Sequence, residues 1–171
     1  MARGRLNRQI KDDAILPTHT FSFDLEGETI TTQVIVWNDW LLACGLSIPP
    51  EIPACGINPD GLIIVNEAFM KESEEFQIIT ILHELEHINL KHHENMDDNG
   101  AKKFGKIGKN YTKADIEADH AVGEKVGKEA VIDWLKYYCA IMDSFMASKY
   151  NFPENEPFKQ RIEALEGSQI N

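Results

Sequence analysis

At 171 residues, 43% hydrophobic and 26% charged, the chain carries enough apolar material for one well-cored domain. Its formal net charge of -11 argues against nucleic acid and anionic membrane surfaces as partners, since both call for a basic face. No stretch reaches membrane-spanning length, and no signal-like apolar run follows the basic Arg3, Arg5, Arg8 and Lys11. Cys44, Cys55 and Cys139 are odd in number and lack metal-ligand spacing, so they read as reduced thiols. The expectation is a soluble, acidic, cytoplasmic protein.

Residues 1–17 are polar up to Pro17 and read as an N-terminal arm, leaving 18–171 as a single domain. Phe21, Phe23 and Leu25 alternate with polar residues, Glu26-Gly27-Glu28 offers a turn, and Ile30, Thr32, Val34 and Val36 alternate again. That pattern predicts a β-hairpin. Trp37 to Leu46 reads as a short helix ending at Gly45, and residues 47–60, with Pro49, Pro50, Pro53 and Pro59, as an irregular connection. Gly61 to Asn66 is a short apolar run bounded by turn residues, hence a strand. Glu72 to about His93 reads as a long helix with Ser73 as a possible N-cap, apolar on more than one side and therefore buried.

Residues 94–112 are polar and rich in Gly and Lys, and read as a mobile loop. Two helices follow, from Lys113 to about Lys128 and from Val131 to Tyr150, and a short last helix carries Phe158, Ile162 and Leu165 after Pro157. The aromatic and Met stripe of the second of these reads as core.

Chemistry concentrates at His83-Glu84-Leu85-Glu86-His87, an H-E-x-x-H pattern inside the buried helix. Residues four apart share a helical face, so two imidazoles can address one metal ion. Glu84, one position on, is placed to take a proton from a metal-bound water, which is the zinc-peptidase arrangement. A third ligand is then required. His93 has the spacing of a third histidine, but Leu90 stands where such a chain needs Gly to leave the helix sharply, so His92 and His93 are expected to swing away. The expected role of that pair is a solvated helix end. Asp115 and Asp119 share one helical face, whereas Glu117 points about 200° away. Phase favours Asp115 as the ligand, with Asp119 orienting a ligand histidine through its ring N–H and Glu117 as the alternative. His120 is the weakest candidate, read as a polar surface residue.

His83 to His93, followed by a helix bearing Glu117-Ala118-Asp119, resembles the gluzincin metallopeptidases, closest to the HtpX-like and CAAX-prenyl-protease family, with the ImmA/IrrE family nearby. The segment Pro157 to Leu165, with Arg161-Ile162, is similar to that group's closing Pro…Arg-Ile-x-x-Leu stretch, and the likeness spans about residues 60–167. The resemblance implies an α+β, zincin-like fold, mainly helical, with a small N-terminal sheet and an active-site helix carrying H-E-x-x-H. It implies a zinc metalloendopeptidase acting on peptide or protein substrates, with Glu84 as general base and His83 and His87 as ligands. By alignment on Ala118-Asp119 the third ligand falls on Asp115, where the family has Glu. The strand at Leu62–Val65 resembles the edge strand of zincin clefts, and Tyr111, Tyr137 and Tyr138 are available as oxyanion donors. The alternatives are an ImmA-like site-specific regulatory protease and a metal-binding interaction module with little general proteolytic activity.

Overall fold

Period-two alternation builds the first pair of elements. β1 (Thr18–Leu25) and β2 (Glu28–Val36) run antiparallel from Thr18↔Ile35 to Leu25↔Glu28. The two residues between them, Glu26 (φ 52) and Gly27 (φ 87), are both left-handed, which is what a two-residue hairpin turn of the favoured twist requires. The computed structural model describes residues 17–40, 49–58, 60–95, 109–149 and 156–167. Among these residues the chain is mixed α+β, with a four-stranded sheet and four α-helices. The expected arm before Pro17, most of the Trp37–Leu46 helix and most of the 94–112 loop lie outside the described residues. The chain divides into two compact units, Met1–Lys106 and Ile107–Asn171.

In the first unit β3 (Cys55–Ile57) and β4 (Ile63–Val65) complete a sheet of order β1-β2-β4-β3. β4 pairs parallel with β2 and antiparallel with β3, and its three residues are all buried. β4 is therefore interior, and the edge strands are β1 and β3, a correction to the expectation for Leu62–Val65. β3 falls within the stretch expected to be irregular. Pro49, Pro50 and Pro53 precede it, and the buried Asn66 side chain holds that approach in place. The Asn66 Oδ1 accepts from the N–H groups of Ala54 (3.0 Å) and Phe69 (2.9 Å), while its Nδ2 donates to the Ile52 carbonyl at 2.7 Å. Gly56 is needed for the close approach of Trp40, because a Cβ there would lie 2.8 Å from the indole ring.

α1 (Glu74–Asn89) packs against β3. The Ser73 Oγ accepts from the Phe76 N–H at 3.3 Å, satisfying one of the donors that a helix start leaves open. Glu74 and Glu75 in the first turn suit the positive end of the helix dipole. Phe76, Ile79, Ile81 and Leu82 are all buried, at phases that span more than one face. The helix stops four residues short of the expected His93, at a turn described below.

The second unit consists of α2 (Lys109–Val126), α3 (Lys128–Lys149) and α4 (Glu156–Gly167), packed on one another. Gly127 (φ 92) ends α2 by donating to the Gly123 carbonyl at 3.0 Å, and α3 starts at the next residue. Val122 and Leu165 are buried, and of the helical stripe expected as core Val131, Trp134 and Leu135 are buried and Tyr138, Ile141 and Met142 half-buried, while the Phe145 and Met146 side chains lie outside those described. Among the described residues no helix is long and apolar enough to cross a membrane.

Candidate metal centre

α1 turns His83, Glu84 and His87 inward together, and all three are buried. The two imidazoles meet edge to face, with ring centroids 4.6 Å apart, and their Nε2 atoms are 3.0 Å apart. Two nitrogens each bound to one tetrahedral zinc ion at 2.0–2.1 Å would stand about 3.3 Å apart. The pair thus needs to open by only a few tenths of an ångström to take such an ion, and the donor set fits the metal on this count. Glu84 adds a carboxylate between the histidines in sequence. Its charge reaches β3: burial first, and the Glu84 carboxylate second, push the Cys55 thiol well above its ordinary range.

The end of α1 differs from expectation. Leu90 does continue the helical hydrogen bonding, donating to the Glu86 carbonyl at 2.9 Å, but Lys91 adopts φ 59 and the chain reverses into a short 3₁₀ helix, His92–Asn95. The sharp exit lies one residue later than the position argued from Leu90, and Lys rather than Gly makes it. In consequence His92 returns to His87, with Nδ1 to Nδ1 at 2.8 Å and ring centroids 5.0 Å apart. It is half-buried and in contact, not a solvated helix end. His93 takes a different course and packs over Gly61, within 3.5 Å of where a Cβ would stand there.

In the second unit Asp115, Ala118, Asp119 and Val122 are all buried, the i, i+3, i+4, i+7 face of α2. Glu117 faces outward, its side chain 46% exposed and 3.7 Å from the Lys113 ammonium. His120 is half-buried. Asp119 pairs with Arg161 from α4. Arg161 donates Nε to Oδ2 at 2.7 Å and Nη2 to Oδ1 at 2.8 Å, a two-pronged pairing, and its Nη1 lies 3.9 Å from the Asp115 Oδ2. The guanidinium also stands 5.5 Å from the Trp134 ring centre and 5.6 Å from that of Phe158. Arg161 is the residue whose role sequence reasoning missed. The signal available was an arginine inside the otherwise amphipathic α4, one turn before the buried Leu165.

Of the tyrosines considered as oxyanion donors, Tyr137 is exposed and Tyr138 packs between Trp134 and Phe158, while the Tyr111 side chain lies outside those described. No protein-family model, curated protein or solved structure matches the chain.

Proposed function

We propose that the chain is a zinc-dependent peptidase of zincin-like type, with His83, His87 and Asp115 as metal ligands and Glu84 as general base. The observation that carries this reading is the 3.0 Å approach of two buried Nε2 atoms flanking a buried glutamate on one helix. Two imidazoles and a carboxylate are a donor set that suits zinc and leaves a fourth position for water. Asp115 is preferred to Glu117 because it is buried beside a guanidinium, whereas Glu117 is exposed and paired with Lys113.

A bound zinc ion would supply Lewis acidity, bringing a coordinated water's pKa toward neutrality and polarising the scissile carbonyl. Glu84, buried beside the two histidines, would hold the proton of an attacking water and pass it to the leaving amine. Arg161 holds Asp119 and, through it, the inner face of α2 on which Asp115 stands. The backbone N–H and C=O groups of Cys55 and Ile57 point away from β4, because Gly56 and its neighbours at alternate positions pair with it. An extended peptide added there would run beside Glu84, whose charge Cys55 already feels.

The test is metal content by plasma emission together with cleavage of a denatured casein. The wild-type chain is expected to carry one equivalent of zinc. Glu84→Gln should retain the metal and lose cleavage by about 10²–10⁴-fold. Purified protein with well below one equivalent, or a Glu84→Gln protein that cleaves like wild type, would remove the reading.

A further inference from the structure

We propose that His92 is a positioning residue for His87: it accepts the His87 Nδ1–H and so keeps the His87 Nε2 lone pair directed at the metal position. This rests on the reading of His87 as a ligand. At 2.8 Å, one Nδ1 must be the donor and the other the acceptor. Two neutral assignments are possible. In one His87 donates from Nδ1 and leaves Nε2 as a lone pair, and in the other it accepts at Nδ1 and carries its proton on Nε2, toward His83. A ligand histidine must be the first, and His92 must then be protonated on Nε2.

The backbone is built for this contact. On a continued helix, residue 92 would stand about 140° around and about 7.5 Å along the axis from residue 87, out of reach of its ring. The left-handed Lys91 brings it back. The turn is closed by Lys91 donating to the Ile88 carbonyl at 3.0 Å and Glu94 donating to the Lys91 carbonyl at 3.2 Å. His92 is half-buried there, its ring tilted 65° from that of His87 and the two Nδ1 atoms 2.8 Å apart. Ligand histidines characteristically hand their second ring N–H to such an acceptor, which fixes tautomer and ring orientation and raises basicity.

The experiment uses the full chain and zinc alone, titrated against a chromophoric chelator, with nitrogen NMR of the His87 ring as a second readout. His92→Phe keeps a ring of similar size without an acceptor, and should weaken zinc binding about 10–100-fold while one equivalent still binds. His92→Asn places Oδ1 near the lost Nδ1 and should recover most of that loss, with His87 protonated on Nδ1 as in wild type. Wild-type affinity in His92→Phe, or a loss that Asn fails to recover although both variants melt like wild type, would overturn the positioning role. His87→Ala serves as the control: near-complete loss of zinc in it, with His92→Phe unchanged, sinks this inference alone. Unchanged zinc binding in His87→Ala sinks the ligand assignment as well.

Discussion

The histidine pair on α1 and the carboxylate pair on α2 obey the same spacing rule, four residues apart on one helical face, yet they are held in different ways. His83 and His87 approach to 3.0 Å within a single helix. Neutral imidazoles permit this, because one nitrogen can donate while the other accepts. Asp115 and Asp119 are like charges on one buried face, and burial of both without a cation would be severely unfavourable. The cation comes from another helix, as Arg161 lies 42 residues beyond Asp119. Spacing along one helix can therefore align ligands of either kind, but only a tertiary partner can keep two acids buried and ionised.

The largest effect that would break this contrast concerns Arg161. Arg161→Ala removes a buried, two-pronged partner and leaves Asp119, itself fully buried, without its main counter-charge. The expected loss is about 3–5 kcal/mol in urea unfolding. Lys113→Ala at the exposed Lys113–Glu117 pair should cost less than about 1 kcal/mol. Equal losses in the two variants would mean that the buried guanidinium is not what stabilises the carboxylates.

The ligand comparison is next in size. Asp115→Ala should lower zinc affinity by orders of magnitude and Glu117→Ala should barely change it, read by the same chelator competition. The reverse result would transfer the ligand role to the exposed face of α2 and would mean that the helix turns before it binds metal.

The smallest effect probes β3 beside Glu84. Neither Cys55 nor Cys139 is in a disulfide, and both residues are half-buried. The thiolate is the reacting form, and the raised pKa of Cys55 keeps it scarce. Iodoacetamide at about pH 8.5 should therefore modify Cys55 more slowly than Cys139, followed peptide by peptide in a mass spectrometer. Glu84→Gln should narrow the gap, because a part of the upward push is removed. The linkage has a definite sign. The folded chain favours the protonated thiol, so this contribution to stability is fully present below the ordinary thiol pKa and is lost as pH rises toward the raised value. Equal rates at both cysteines would remove the raised Cys55 pKa, and a gap unchanged in Glu84→Gln would show that Glu84 does not act on β3.

How much was legible follows from the range of each signal. The hairpin, α1 with its Ser73 cap, and the inward phase of His83 and His87 depend on neighbours within a few residues. Alternation, capping and helical period encode those directly in the chain. β3 did not announce itself, because three residues among prolines carry no periodicity and are a strand only by virtue of β4 and the Asn66 side chain. The reversal at Lys91 was equally hidden, since nothing in a lysine predicts φ 59.

By itself the sequence determined which residues could share a face: His83 with His87, and Asp115 with Asp119 and not Glu117. Helix geometry leaves no freedom in those relations. Tertiary structure alone decided that β3 rather than β4 stands at a sheet edge, that His92 returns to His87, and that Arg161 neutralises Asp119. Each of these depends on contacts between segments distant in sequence or on a backbone angle that local preference opposes, and such contacts form only once the rest of the chain has packed.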